Sequence, residues 1–296
     1  MFEPLLSQEP DDALPLVTVV MPVYNAGKYL RLAVLSIVTQ TYHRWELLII
    51  DDGSTDNALQ NIADINDARI RILQDGKNKG LAARLNECID LANGKYIARM
   101  DQDDVSYPER LAKQVAMLDR SPLLDLIGVR AITISEKNEA TGMLPWGATH
   151  EVICAHPWLG FYLPHPTWMG RTEWFRKHYY AQPAPYFCED QELLLRSYEK
   201  SRFGMVSEPL FAYRVRGCIN WRKLLKTRAT VLQVQLGHFA LKKQYVFGFM
   251  AALTFLARVV SDMVGSGHFR KNSRFNSDQE KFFCRWREVY QSVQGK

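Results

Sequence analysis

The chain is poor in cysteine. Its five (Cys88, Cys154, Cys188, Cys218 and Cys284) form no CxxC pair and no zinc-like spacing. That excludes a disulfide framework and a cysteine-built metal centre, and it suits a reducing, cytoplasmic compartment. No GxGxxG follows the first apolar run, which sets aside a dinucleotide-dependent oxidoreductase. Internal repeats and low-complexity tracts are absent. The opening "MFEPLLSQEPDDALP" lacks a basic start and an apolar centre, so it predicts no secretory leader. The uncharged stretch "QYVFGFMAALTFLA" at 244–257 has fourteen residues. A spanning helix needs about 20, so it is expected to lie on a membrane surface or in a protein core.

Apolar residues make up 47% and charged residues 23%, enough for a sizeable core and too ordered a composition for disorder. The net charge of +5 hides a division. Residues 1–213 carry 21 Lys+Arg against 28 Asp+Glu, a net of −7, and residues 214–296 carry 16 against 4, a net of +12. A basic tail behind an acidic body points to a polyanionic partner such as an anionic membrane face or a phosphate group, or to a solvated basic surface. Nucleic acid is not expected, because no binding module accompanies the charge.

Apolar, β-branched runs alternate with helical spacing four times in the first hundred residues. "PLVTVVMPVY" precedes "NAGKYLRLAVLSIVTQ", and "WELLIIDDGSTD" precedes "NALQNIADIN". "RIRILQD" precedes "GLAARLNECIDLANG", with Gly94 as an expected helix-ending residue, and "KYIARM" closes the series. This pattern predicts a Rossmann-like, mostly parallel sheet flanked by helices. Ligands of such sheets bind beyond the carboxyl ends of the strands. The polar clusters "YNAG", "DDGSTD" and "DQDD" all fall there. A helix near "CEDQELLLRSYEK" and a strand pair over "SRFGMVSEPLFAYRVR" are expected later.

"DQDD" gathers Asp101, Asp103 and Asp104 within four residues. Carboxylates on such a loop suit Mg²⁺ or Mn²⁺, which take oxygen ligands from one or two carboxylates plus substrate phosphates. The competing reading is a loop in which Asp103 or Asp104, ahead of "YPERL", caps the helix over "YPERLAKQVAMLDR".

Taken together, "VTVVMPVYNAGKYL", "ELLIIDDGSTD", "NKGLAARLNECIDLANGKYIARMDQDD" and "CEDQELLLR" resemble a family 2 glycosyltransferase of GT-A fold, in the family's order and over residues 16 to about 215. The resemblance implies a glycosyltransferase domain at 1–215; beyond it, the basic charge and the uncharged stretch predict a helical, membrane-associating region at 216–296. The resemblance also implies that Pro22, Val23 and Tyr24 border a nucleotide base. Asp51 would hydrogen-bond that base, with Asp52 and Ser54 nearby. Asp101 would contact the ribose, and Asp103, with Asp101 as second candidate ligand, would hold Mn²⁺ or Mg²⁺ against a diphosphate. Asp190 would be the catalytic base of an inverting transfer, beside Glu189. The plainer readings are a helix cap for Asp190, packing for Tyr24, and aromatic packing rather than sugar stacking for Trp158 and Trp168.

The resemblance further offers His165 as a sugar-pocket residue. Where relatives carry a histidine after "YR", this chain has "AYRVRGCIN", so Arg214 or Arg216 becomes a candidate diphosphate contact. No "QxxRW" is present, which points to single transfer rather than polymer extrusion. The implied donor is a nucleotide diphosphate sugar, UDP-linked by preference, and the acceptor a lipid-linked glycan of a bacterial surface polysaccharide. The enzyme would sit peripherally on the inner face of the cell membrane. Two other readings are a non-catalytic nucleotide-sugar-binding scaffold and a sugar nucleotidyltransferase. The latter needs a glycine- and lysine-rich loop after the first strand, where "VYNAGKYL" has one glycine and one lysine.

Overall fold

A computed structural model describes residues 14–215, 220–265 and 277–296 of the chain. The elements run β1 (Val17–Val23), α1 (Leu30–Val38), β2 (Trp45–Asp51), β3 (Ile70–Gln74), α2 (Leu81–Leu91), β4 (Tyr96–Arg99), β5 (Val105–Ser106), α3 (Arg110–Arg120) and β6 (Leu126–Ile134). They continue with β7 (Ala140–Met143), α4 (His150–Ile153), β8 (Met169–Arg171), α5 (Thr172–Lys177), α6 (Glu189–Ser197), β9 (Phe203–Arg214), α7 (Trp221–Leu241), α8 (Tyr245–Gly265) and α9 (Ser277–Gln294). One sheet has the order β3-β2-β1-β4-β8-β6-β9-β5, with β7 on β6. The expected parallel half is there: β1 pairs in parallel with β2 and β4, and β2 with β3. β8 runs antiparallel between β4 and β6, and turns the sheet mixed.

All seven residues of β1 are buried. A central parallel strand is covered on both faces, which is why it reads as an unbroken apolar run. Val17, Val19 and Met21 join the core beneath α1, and Val20 joins the other core beneath α2. The strands therefore end together at one edge, where the polar loops must meet.

Three local expectations are corrected. Residues 57–66 do not form an α-helix; a short 3-10 turn spans Ala58–Ile62, opened by Asp56 Oδ1 accepting from the Ala58 N–H at 3.2 Å. The segment after Ser201 is not a strand pair. It is the single twelve-residue β9, parallel to β6, and register shifts around Arg130 absorb the irregularity that Pro209 introduces. Gly94 does not end α2, which stops at Leu91 with Ala92 as its cap. Glycine is required at 94 for a different reason. A Cβ there would sit 2.6 Å from the Thr18 backbone nitrogen and 2.7 Å from the Leu16 carbonyl oxygen. We expect Gly94→Ala to destabilise the fold by about 1–3 kcal/mol through this backbone clash, measured by urea unfolding.

The C-terminal region is helical, as expected. α7 and α8 form a hairpin whose Phe239 and Ala251 enter the second core. α9 returns to the first half of the chain: Phe283, Trp286, Val289 and Val293 belong to the core that also contains β1 and α1. α8 is also longer than its uncharged stretch suggested. Tyr245–Met263 is long and apolar enough to cross a membrane, and most of it faces outward. Its charged residues are tied down, Arg258 to the Leu159 carbonyl and Asp262 to Arg228 of α7.

Candidate active site

The loops after β1, β2 and β4 are laced together at the sheet edge. The Asn25 N–H donates to Ser54 Oγ at 3.0 Å, and Asn25 Oδ1 accepts from the Thr55 N–H at 2.8 Å. Asn25 takes φ +50 to do so, a conformation asparagine tolerates better than most residues. Across the cleft, the Gln102 side chain grips the Tyr24 backbone on both sides, accepting from its N–H at 2.6 Å and donating to its carbonyl at 2.9 Å. A cavity of about 400 Å³ lies between these loops. Pro22, Val23, Tyr24, Asp52, Asp101 and Asp103 line it, together with Asn78, Gly80, Leu81 and Gln102. Tyr24 stands at the mouth, 47% exposed.

Asp51 and Ser54 lie behind this lining rather than in it. The Asp51 carboxylate, buried, accepts from the Ser54 N–H at 3.2 Å. Asp52 reaches the cavity with its carboxylate committed. It accepts from the Lys79 N–H at 2.7 Å, the Gly80 N–H at 3.0 Å and Arg84 Nε at 2.9 Å. Arg84 is itself buried and also pairs with Asp75 and Glu87. This network fixes the 77–80 loop that forms one wall.

The three aspartates of "DQDD" divide their work. Asp101 and Asp103 face the cavity. Asp104 is buried, and burial with the neighbouring Asp101 and Asp103 charges pushes its carboxyl well above the usual range. Its Oδ1 accepts from the Arg214 N–H at 2.7 Å, so it neither caps the following helix nor faces the cleft. Arg214 is likewise buried and not in the cavity lining. Its guanidinium donates to the carbonyls of Asp103 and Ser135 at 2.7 and 2.8 Å and stacks 4.4 Å from the Tyr29 ring, which corrects the expectation of an open diphosphate contact. Arg216 lies outside the described residues.

Glu189 and Asp190 open α6, in the first helical turn. They are outside the cavity lining, and the charge of the buried Arg99 acts on both. This arginine, 3% exposed at the end of β4, has Nη1 2.8 Å from Asp101 Oδ1. Burial alone would favour its neutral form, but the charges of Asp101 and Glu189 hold its pKa above the ordinary value. Asp190 is pushed up by burial, against hydrogen bonds from Gln191 that favour its charged form. Burial first, then the Asp190 charge, pushes Glu189 up to about 6.

His165 stands alongside, its Nε2 2.7 Å from the Tyr180 hydroxyl and its Nδ1 4.0 Å from Glu189 Oε1. Burial, then the Arg99 charge, holds its pKa well below the usual value, so it is a neutral imidazole. Trp168 is fully buried with its indole N–H donated to the Leu163 carbonyl, and Trp158 packs on Phe247, so both are structural.

The raised carboxyl of Glu189 has a consequence for stability. A folded-state pKa of about 6 against an ordinary 4.5 means the folded chain holds this proton more tightly. Stability from this group is therefore lost as pH rises from about 4.5 to about 6. We expect Glu189→Gln to be more stable than the parent at pH 7.5 by about 1–2 kcal/mol, with the gap closing below about pH 5, in thermal melts across that range.

Sequence reasoning did not single out Gln102, Arg84, Tyr180 or the role of Arg99. A charged residue inside the apolar run "YIARM" was the one available signal, and it did not say which carboxylates it faced. Among the described residues no group of three His, Cys, Asp or Glu side chains converges on one point. The donor set at the cavity is Asp101 and Asp103. Two carboxylates facing a cleft of this size fit a divalent cation that takes its remaining oxygens from a bound diphosphate.

The family model described as "Glycosyl transferase family 2" matches residues 18–179, more than half the chain. The chain belongs to glycosyltransferase family 2. It is 36% identical over 207 residues to EpsE of Bacillus subtilis (strain 168), named as a putative glycosyltransferase, covering 68% of this chain and 73% of EpsE. Over 113 residues it is 34% identical to WfgD of Escherichia coli, named UDP-Glc:alpha-D-GlcNAc-diphosphoundecaprenol beta-1,3-glucosyltransferase, covering 38% of this chain and 45% of WfgD. The fold is similar to that of S. aureus TarS residues 1–349, with a TM-score of 0.61 at 18% identity, covering 94% of this chain and 82% of that one. The GT-A architecture expected for a family 2 glycosyltransferase is thus the observed one. The TarS fragment has also been crystallised with UDP-GlcNAc.

Proposed function

We propose that this family 2 glycosyltransferase moves a sugar, with inversion, from a UDP-sugar to a hydroxyl of a lipid-linked glycan. The observation that carries the reading is the meeting of Tyr24, Asp101 and Asp103 on one cavity, with Asp101 paired to the buried Arg99, whose charge is felt at Glu189 and Asp190. Tyr24 would stack against the base at the cavity mouth. Asp51, behind it, would accept from the base edge, and Asp101 would accept from the ribose hydroxyls. Asp103, with Asp101, would hold Mn²⁺ or Mg²⁺, which supplies positive charge to the departing diphosphate.

Asp190 does the proton chemistry. As the acceptor oxygen attacks the anomeric carbon, Asp190 takes its proton, and the bond from that carbon to the diphosphate oxygen breaks with its electron pair leaving on the diphosphate. The base and the leaving group stand on opposite faces of the sugar, so the configuration inverts. Burial makes Asp190 a stronger base than a solvated aspartate, which suits the task. Arg99 holds Asp101 in place and offsets the charge of the crowded carboxylates around it.

The WfgD name, with its diphosphoundecaprenol acceptor, supports a lipid-linked acceptor here. The outward apolar face of α8 and the basic C-terminal region support a peripheral position on the cytoplasmic face of an anionic membrane. The test is a panel of nucleotide sugars with Mn²⁺, read by thermal shift and by donor hydrolysis. Uridine donors should raise the melting temperature and be hydrolysed slowly; equal response to adenine, guanine and uridine donors, or none, would overturn the reading.

A further inference from the structure

The carboxylate of Asp190 is held by its neighbour in the chain. Gln191 Nε2 donates to Asp190 Oδ2 at 3.3 Å, and among the described residues no other side chain hydrogen-bonds that carboxylate. The far end of the same amide is also occupied, because Gln191 Oε1 accepts from the Phe161 backbone N–H at 2.9 Å. A backbone N–H only donates and an ionised carboxylate only accepts, so the partners at both ends fix which way the amide faces. Gly160 makes the room. Its backbone takes φ +95, and a Cβ on it would sit 2.7 Å from Gln191 Oε1.

A hydrogen bond orients a base only if its other end is fixed. Here the C-terminal hairpin clamps the loop at 157–161. The buried Gln235 of α7 donates to the carbonyls of Pro157 and Trp158, each at 3.1 Å, and Arg258 of α8 donates to that of Leu159 at 2.8 Å. The contacts therefore run from α7 and α8 through this loop to Gln191 and end on Asp190. We propose that Gln191 is the positioning residue for Asp190, turning its carboxylate toward the acceptor hydroxyl from an anchor that the C-terminal hairpin supplies. This deepens the assignment of Asp190 as the base and rests on it. A contact of 3.3 Å is long for a bond to a charged oxygen, and such contacts in active sites commonly tighten once substrate is bound. The amide also orients without adding charge to a space that already holds Glu189, Cys188, Arg99 and Tyr180.

Steady-state release of UDP from UDP-glucose or UDP-N-acetylglucosamine by the full chain in Mn²⁺ decides it, with water standing in for the acceptor hydroxyl and giving its proton to Asp190. Gln191→Leu removes both contacts of the amide. Gln191→Glu, ionised at an assay pH of about 8, keeps the acceptor for the Phe161 N–H and loses the donor to Asp190. Both should lower kcat by about 10–100-fold and leave the donor KM within about twofold of the parent. In Gln191→Leu the acid limb of kcat/KM should also move to higher pH, because a donor that favours the charged carboxylate is gone while the other groups around Asp190 are unchanged. Gly160→Ala should lower kcat in the parent and add little in the Gln191→Leu background, since both changes break one contact. Should a Gln191 variant melt below the assay temperature, Gly160→Ala attacks the contact from the other side and is judged by the same readouts. Parent-like kcat in Gln191→Glu beside a slow Gln191→Leu overturns the proposal and leaves Gln191 as a brace for the loop. Parent-like kcat in both, with Asp190→Asn slow, overturns it while the base assignment stands. A parent-like Asp190→Asn overturns both.

Discussion

Asp190→Asn is expected to slow sugar transfer by about 10²–10⁴-fold while leaving donor binding unchanged. The asparagine keeps the shape and the helix position of Asp190 but accepts no proton. Asp190 stands outside the lining of the cavity proposed to take the donor, so the Kd for a UDP-sugar, measured by calorimetry, should stay within about threefold of the parent. Burial raises the carboxyl of Asp190, and Glu189 next to it sits at about 6. The base must be ionised to work, so kcat/KM should be lost on the acid side as pH falls through these raised values. That acid limb should be missing from the residual activity of Asp190→Asn. Parent-like turnover by the Asp190→Asn enzyme would assign the proton transfer elsewhere, with Glu189 the next group to examine.

Removing α9 is expected to have the largest effect on stability. Phe283, Trp286, Val289 and Val293 are all within the main core, and each fully buried side chain of this kind contributes about 1.5–3 kcal/mol. Four of them together approach the whole stability of an ordinary domain, about 5–15 kcal/mol. Trp286 is the centre of this contact. It stacks on Tyr107 with ring centroids 6.2 Å apart, meets Tyr290 at 5.6 Å, and donates its indole N–H to the Asn138 carbonyl at 2.9 Å. A chain ending at residue 276 should be insoluble or molten, and Trp286→Ala should cost about 3–5 kcal/mol in urea unfolding. A truncated chain with the parent's melting temperature would contradict this packing. Membrane attachment therefore has to be tested with point substitutions on α7 and α8, because a cut near residue 215 also removes part of the core.

What the sequence disclosed follows from how strongly each element marks itself. β1, β2 and β4 are buried on both faces and end in polar clusters, so run length and composition located both the strands and the cleft edge. α9 carried the same information more faintly. Its buried positions recur at helical spacing, but "KFFCRWREVYQSVQ" is polar enough to read as a solvated basic tail. Helical spacing at 57–66 was overridden by the tie of Asp56 to both Gly27 and Ala58, which uses the turn to brace the cleft. The strand pair expected over "SRFGMVSEPLFAYRVR" is one strand, because bulges between Val206 and Phe211 let β9 run on through Pro209 while it stays paired with β6.

At the site, residue types pointed to the carboxylates that line the cavity, Asp52, Asp101 and Asp103, but not to their partners. The family resemblance offered Asp52 and Arg214 as ligand contacts, and the structure ties Asp52 to the Lys79 and Gly80 N–H groups and Arg84, and Arg214 to Asp104 and the carbonyls of Asp103 and Ser135. Gln102 organises the cleft through a partner, Tyr24, that lies 78 residues away in the chain, and the Arg99 N–H donates to the distant Trp168 carbonyl. Local pattern does not reveal contacts of that range.

The central claim is that Asp103 and Asp101 make a diphosphate site that depends on a divalent cation. Calorimetric titration of UDP into the parent chain and into Asp103→Asn, each with Mn²⁺ and with EDTA, tests it most directly. Tight binding by the parent in Mn²⁺ alone, weakened at least about tenfold by EDTA or by Asp103→Asn, is the predicted result. UDP affinity that is the same in all four titrations, or no UDP binding in any, would contradict the account.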